Sequence, residues 1–227
     1  MSRYQTQGVI LKRVDYGEAD RIITFFTPDR GKVAAIAKGV RKPKSKLAGG
    51  IELFSVCDIG GIKGKRDIDT LVSTRLKSHF EDIVKDYDRL QVAYSILQLT
   101  DAYTDDEAGV EYFDLLVEGL RVLNEGKLSD HVVACWYYMQ LMKLHGAIPN
   151  LLQDVHGNDL EEAATYAFSV EDGGFFISKS GVFGAEDIKA WRVFAGADSS
   201  QLKRVRGLST YAEKASETLK RFTQFQI

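Results

Sequence analysis

Apolar and polar positions alternate in short runs over the first 80 residues and recur at helical spacing beyond them. Thr6 to Val14 carries Val9 and Leu11, with Ile10 breaking the alternation. Arg21 to Thr27 has Ile-Ile-Thr-Phe-Phe at its centre, and Lys32 to Lys38 reads Val-Ala-Ala-Ile-Ala. Runs of this length, rich in β-branched and aromatic residues, predict strands. Turn residues follow each: Asp15-Tyr16-Gly17, Pro28-Asp29-Arg30-Gly31 and Lys38-Gly39. Two more runs, Ile51 to Ile59 and Thr70 to Leu76, flank Gly60-Gly61-Ile62-Lys63-Gly64-Lys65, which reads as a hairpin tip. Five short strands with glycine-rich turns predict a small closed or nearly closed barrel, for which the OB-fold is the commonest five-stranded form.

After residue 80 the period lengthens to nearly four. Ile83, Val84, Tyr87, Leu90, Ala93, Ile96 and Leu97 mark one helical face. Phe113, Leu116, Val117, Leu120 and Leu123 mark a second, and Val132, Val133, Trp136, Tyr137, Met139, Gln140 and Leu144 a third. Gly146 and Pro149 stop the third helix, because glycine accepts the left-handed cap and proline cannot continue the ladder. The stretch 150–181 reads as loop-rich around Asp172-Gly173-Gly174. Helices are predicted again near Glu186 to Phe194 and from Tyr211 to Phe225, the last with Thr210 and Glu213 at capping-box spacing. The fold class expected is therefore α+β: a barrel over 1–79, then a helical domain over 80–227 that contains the 150–181 insertion.

Charge divides the same way. Residues 1–80 hold sixteen Lys and Arg against eight Asp and Glu, a balance of +8, while 81–200 balance at −14 and the last 27 at +4. A basic head on a chain of net charge −2 suggests that this part meets a polyanion. No apolar run is long enough to cross a bilayer, and no apolar stretch follows the first residues as in a secretory signal, so a cytoplasmic location is expected. Cys57 and Cys135 are far apart and read as packing thiols.

Motifs for covalent chemistry do not emerge. The glycine-rich segment has Ile59 where a phosphate-binding loop needs its first glycine, and Arg66 where it needs Ser or Thr. There is no Gly-x-Ser-x-Gly or His-Glu-x-x-His. No two of His79, His131, His145 and His156 stand four apart. A non-enzyme without cofactor is the expectation.

The strongest local feature is Lys38-Gly39-Val40-Arg41-Lys42-Pro43-Lys44-Ser45-Lys46, five cations in nine residues. Unpaired ammonium groups are too costly to desolvate, so this segment must face water or phosphate. Lys12, Arg13, Arg21, Arg30, Lys32, Lys63, Lys65 and Arg66 would extend positive potential around one side of the barrel and along a nucleic-acid backbone. Tyr16, Phe25, Phe26 and Phe54 offer base-stacking faces, although most of the four are better suited to the core, with Tyr16 in its turn the exception.

Here the chain resembles a known family. The stretch from Gly8 to Arg21, with its Tyr16-Gly17-Glu18-Ala19-Asp20-Arg21, then Phe26-Thr27, Gly31-Lys32 and Ala37-Lys38-Gly39-Val40-Arg41-Lys42-Pro43-Lys44-Ser45, is similar to the RecO family over about the first quarter of the chain. The resemblance implies an N-terminal OB-fold and a helical domain. It also implies binding of single- and double-stranded DNA, annealing of complementary strands, and work with RecR to help RecA displace SSB, whose C-terminal tail docks on the helical domain in some members. DNA-binding residues would be Lys12, Arg13, Arg21, Lys38, Arg41, Lys42, Lys44 and Lys46, in a cytoplasmic protein associated with the nucleoid during repair.

One segment departs from the family. Where many members carry two Cys-x-x-Cys pairs after the Pro-x-Leu segment, this chain has Gln153 and His156, then Ile177 and Ser180. A structural zinc site needs four nitrogen or sulfur ligands. The insertion is therefore expected to be a degenerate, zinc-free zinc-finger-like hairpin, held instead by burial of Leu151, Leu152, Leu160, Tyr166, Phe168, Phe175, Phe176 and Ile177. An improvised set of Asp154, His156, Asp159 and Asp172 is the alternative. Two other readings of the whole chain stay open: a protein-interaction adaptor with weak nucleic-acid contact, and an enzyme of unrecognised type.

Overall fold

A computed structural model describes residues 2–65 and 68–227. Five strands come first: β1 (Arg3–Tyr16), β2 (Asp20–Thr27), β3 (Gly31–Ala37), β4 (Ser55–Ile62) and β5 (Ile68–His79). β1 pairs with β2 and with β4, β2 with β3, and β5 with β4, all antiparallel, while β3 meets β5 in parallel. The pairing returns to its start, so the strands form a closed barrel in the order β1-β2-β3-β5-β4. Closure leaves no strand edge for another chain to extend. Ile10, Ile23, Phe25, Ala35, Ala37, Cys57, Ile59 and Leu71 fill its core, joined by Val40 and Ile51 from the β3–β4 connection.

The broken alternation in the first run has a structural cause. The register between β1 and β2 slips between Ile10 and Lys12, leaving Leu11 as the extra residue of a bulge. Ile10 stays in the barrel core while Leu11 lines a cleft outside it. Gly60 and Gly61, expected at a hairpin tip, lie inside β4. The Tyr4 ring stacks so closely on Gly61 that any Cβ would collide with it, so the glycine serves packing rather than a turn.

Two helices belong to the same compact unit as the barrel, which runs to Asn124. α1 (Tyr87–Tyr103) starts at Asp86, whose carboxylate accepts a hydrogen bond from the Arg89 amide at 3.0 Å, and α2 (Val110–Glu125) follows. Gly31, at φ 53°, allows the β2–β3 turn to approach the α1–α2 connection, where the Lys32 amide donates to the Asp105 carbonyl at 2.8 Å. A Cβ on Gly31 would lie 2.5 Å from that carbonyl oxygen. By compactness the chain divides after residue 124.

The second unit begins at Glu125. It holds α3 (Asp130–His145), strands β6 (Asn150–Asp154), β7 (Tyr166–Ser169) and β8 (Gly174–Ile177), then α4 (Ala185–Gly196), α5 (Ser199–Leu202) and α6 (Leu208–Phe225). Gly146 caps α3 at φ 78°, as its position predicts. The stretch expected to be loop-rich contains a three-stranded sheet in the order β6-β8-β7. Thr210 and Glu213 do not cap α6, because burial of Leu208 draws the helix start back to Gly207. A capping box does occur at Asp198 and Gln201, which opens the short α5.

Of the side chains expected to hold the 150–181 segment, Leu151, Tyr166 and Phe175 are buried, while Leu160, Phe168 and Phe176 are half-buried. Leu152 and Ile177 are exposed, at 72% and 56%, and do not serve as core. Phe175 meets Tyr166, Phe168, Phe183 and Trp191 at ring separations of 5.0 to 6.3 Å.

Candidate nucleic-acid interface

The basic segment leaves the end of β3 and is tied back to the barrel at both ends. Gly39, at φ 64°, opens a turn in which the Lys42 amide donates to the Gly39 carbonyl at 3.1 Å; the Ser45 amide then donates to the Lys42 carbonyl at 3.0 Å. Val40 is buried in the barrel core and Leu47 packs against it. Lys38, just before the first anchor, and Arg41, Lys42, Lys44 and Lys46, between the two, are all exposed.

A second set of contacts joins the segment to the β1–β2 turn. The Arg41 amide donates to the Ala19 carbonyl at 2.9 Å, and the Gly39 amide to the Asp20 carboxylate at 2.6 Å. Asp15 takes the Arg21 Nε at 2.7 Å on one oxygen and faces Arg41 Nη1 at 3.6 Å with the other. The hydrogen bond from Arg21, with further attraction from Arg41 and Arg13, holds the Asp15 carboxyl below the usual carboxylate range. Asp15 and Asp20 therefore act as clamps: Asp20 fixes the backbone of the segment, and Asp15 holds its Arg41 beside Arg21 of β2.

The residues predicted to bind DNA are not equally available. Lys12, Lys38, Lys42, Lys44 and Lys46 are exposed and form no ion pair among the described residues. Arg21 and Arg41 share Asp15. Arg13 is committed further, donating to the Ile51 carbonyl at 3.1 Å and to Glu52 at 2.9 Å. The wider ring of cations is not continuous. Arg30, Lys32 and Lys63 line a different cleft with Asp29, Asp69 and Asp106. In the β2–β3 hairpin Arg21 pairs with Ala37 at one end and Thr27 with Gly31 at the other, so Arg30 and Lys32 lie about 20 Å along the strands from Arg21. Lys32 is held there by Asp101 at 3.1 Å, and Arg30 lies over the Tyr4 ring at 4.2 Å. Lys65 is exposed in the β4–β5 connection, and Arg66 lies outside the described residues.

Phe25, Phe26 and Phe54 are buried in the first unit and present no face for stacking, whereas Tyr16 is 55% exposed. Tyr94 on α1 was missed because it sits beside the apolar stripe of that helix; it is 39% exposed and opens on the cleft that Leu11 lines. Burial pushes the Cys57 thiol up to about 11 and the Cys135 thiol well above its ordinary value, which suits packing and not nucleophilic attack. Among the described residues no three His, Cys, Asp or Glu side chains gather as a metal site, and two of the improvised set are engaged otherwise. Asp154 accepts the amides of His156 and Asn158, and Asp172 accepts the Ser169 hydroxyl. No helix among the described residues is long and apolar enough to cross a membrane.

Comparison with known proteins follows this geometry. Residues 1–80 match the family model described as Recombination protein O N terminal, and residues 84–227 match the one described as Recombination protein O C terminal. The chain belongs to the RecO family. The DNA repair protein RecO of Heliobacterium modesticaldum is 34% identical over 151 residues, covering 66% of this chain and 54% of that protein. The protein of the same name from Rubrobacter xylanophilus is 31% identical over 151 residues, 66% of this chain and 60% of the relative. That of Bifidobacterium longum is 34% identical over 154 residues, 66% of this chain and 64% of the relative. The matches thus span between half and two thirds of these relatives' length. In this RecO-family chain the segments that carry the resemblance are joined physically: Asp15 and Asp20 of the first contact Arg41 and Gly39 of the second.

Proposed function

We propose that this chain is a DNA-binding recombination mediator of DNA repair, with a barrel of the OB type as its DNA-binding domain over 1–79 and a helical domain over 80–227. Single- and double-stranded DNA are bound through phosphate by Lys38, Arg41, Lys42, Lys44 and Lys46, with Arg21 and Lys12 beside them and Arg13 chiefly organising the site. The protein anneals complementary strands without a covalent step or a cofactor. It assists RecA loading on SSB-coated DNA, with RecR and the SSB C-terminal tail as partners, in the cytoplasm. The 150–181 segment is a degenerate zinc-finger-like insertion that folds without zinc.

The observation that carries this reading is the tethered basic segment. Its lysines are exposed and have no ion-pair partner among the described residues, while its backbone is fixed by Ala19, Asp20, Val40 and Leu47. A flexible charged tail would lose more ordering entropy on binding than a segment already held in shape. The test is replacement of Arg41, Lys42, Lys44 and Lys46 together by Ala, read by fluorescence anisotropy on single-stranded oligonucleotides over a salt series. Phosphate contacts carry little sequence information, so affinity should fall for every sequence alike. Neutralisation of three to five phosphates predicts a wild-type log-log salt slope of about −2 to −3.5, reduced in the variant. Unchanged affinity and slope would remove this segment from the mechanism and favour the adaptor reading.

A further inference from the structure

Between β1 and α1 lies a cleft of about 430 Å³ that the phosphate-binding reading leaves unused. Its apolar lining comes from three places: Leu11, pushed out of the barrel by the β1 bulge, Leu53 from the β3–β4 connection, and Leu97 from α1. Tyr94 forms one wall. The neighbours of Tyr94 along the helix, Ala93 and Ser95, are buried, yet its ring stays open to the cleft. Phe54 holds that ring edge-on at 5.3 Å and 72°, so an aromatic face is presented in a fixed orientation. Lys12 and Arg13 stand at the same cleft.

We propose that this cleft receives one unstacked base of a single strand, with Tyr94 as the stacking face and Lys12 beside the adjoining phosphates. The proposal rests on the DNA-binding reading and deepens it by adding a place where single and double strands differ. Three features select a nucleobase. The volume falls within the usual range for small-ligand clefts, and a flat apolar occupant suits a wall of one aromatic ring and three leucines. Lys12 at the rim, unpaired among the described residues, suits an occupant that carries phosphates. Asp101, which lines the cleft with Gln98, is engaged by Lys32, and Glu52 by Arg13, so their charge is offset locally. Arg13 also links the two parts of the surface: it stands at the cleft and lies two residues along β1 from Asp15, whose carboxylate holds Arg21 and Arg41. A strand whose phosphates follow Arg41 and Arg21 therefore arrives at the cleft mouth. A paired base is stacked within its duplex and cannot enter, whereas every base of a single strand has a free π-face.

The experiment compares wild type, Tyr94→Ala, Tyr94→Phe and the fourfold loop variant on three probes of equal length: oligothymidylate, an abasic oligonucleotide and a duplex. Tyr94→Ala should weaken oligothymidylate binding by roughly five- to hundredfold, the range for loss of one aromatic stacking partner. Tyr94→Phe should retain the affinity, and neither change should alter binding of the abasic strand or the duplex. Equal losses on all three probes would make Tyr94 a packing residue and overturn the proposal. If the loop variant weakens binding and Tyr94→Ala does not, the cleft is discarded while the basic-segment reading stands; if neither changes affinity, both fall. Cross-linking of wild-type protein to an oligonucleotide bearing 5-iododeoxyuridine supplies a readout independent of variant folding. An adduct on Tyr94 is expected, and adducts confined to other residues would count against the proposal.

Discussion

The basic segment Lys38–Leu47 and the 150–181 segment both lack long regular structure, and they are held by opposite means. The first buries Val40, leans Leu47 on the barrel core, and otherwise relies on backbone and carboxylate contacts to the β1–β2 turn. The second inserts Tyr166 and Phe175 among Phe183 and Trp191, and sets Phe168 at 5.3 Å from Phe222. A surface made of ammonium groups cannot be stabilised by burying them, since desolvating an unpaired charge costs more than packing returns. Shape there must come from a few anchors at the ends. A segment free of that constraint can place its largest side chains inside and accept a polar, irregular exterior.

The largest effect should come from the packed segment. Phe175→Ala removes a fully buried ring with four aromatic neighbours and should cost about 3–5 kcal/mol of unfolding free energy, measured by urea denaturation. A loss below about 1 kcal/mol would mean that the aromatic cluster is not what holds this region, and the contrast would collapse. Val40→Ala tests the other side. Removing two buried carbons should cost about 1.5–2.5 kcal/mol and should also weaken DNA binding, because the backbone that presents Arg41 loses its anchor. The fourfold Ala variant of Arg41, Lys42, Lys44 and Lys46 should by comparison change stability within about 0.5 kcal/mol, as exposed substitutions usually do, while lowering DNA affinity.

What was legible in the sequence follows from how local each signal is. The strands of the barrel and helices α1, α2 and α3 announce themselves through periodicity, and their observed bounds differ from the expected ones by a few residues. The charge of the 38–46 segment is likewise written in order along the chain. Its attachment is not: that Asp15 and Asp20 would clamp Arg41 and Gly39 depends on β2 and β3 bringing residues some twenty apart into contact. Arg13 reads as one more surface cation until the connection after β3 folds back and offers Ile51 and Glu52 to it. Tyr94 is hidden for a related reason, since only the β1 bulge and Leu53 turn its surroundings into a cleft. Gly60 and Gly61 read as a turn because glycine marks a turn and a close approach with the same letter, and here the approach comes from Ser73 at Gly60 and Tyr4 at Gly61. Asp198 with Gln201 was a readable cap that drew no notice because the helix it starts has only four residues.

A smaller effect is expected at the turn after β6. The Asp154 carboxylate accepts amide hydrogen bonds from Asn158 at 2.8 Å and His156 at 2.9 Å, and these, the Asn158 amide foremost, hold its carboxyl below the usual carboxylate range. A carboxyl whose folded pKa is depressed adds stability that is complete above its unfolded value, about 3.9, and fades as pH falls through the lower folded value. Asp154→Ala should therefore lower the Tm by a few degrees at neutral pH. The gap from wild type should close in acid below about pH 4. A gap independent of pH would assign the loss to packing and not to the charged acceptor.

The smallest effect should be that of a chelator. Related chains are expected to hold this region with thiolates on zinc, and a metal of that kind contributes about 10–16 kcal/mol in small zinc peptides. Here the matching positions are Gln153, His156, Ile177 and Ser180; a side-chain amide, an aliphatic chain and a hydroxyl cannot replace thiolates, and Ile177 turns outward with 56% of its surface exposed. The tight turn at residues 154–158 has its amides satisfied by Asp154, so the turn needs no sulfur to accept them. On the zinc-free reading proposed above, Phe175 and its aromatic neighbours supply the cohesion that cross-linking by a metal would otherwise provide, and the segment is continuous with helices that pack in the same unit. EDTA should then leave the Tm where it was, and elemental analysis should find no stoichiometric zinc. Near one zinc per chain together with a chelator-dependent fall in Tm would move the stability of this segment from its rings to a metal. The cost of Phe175→Ala would have to be measured again on the metal-free protein before the two segments were contrasted at all.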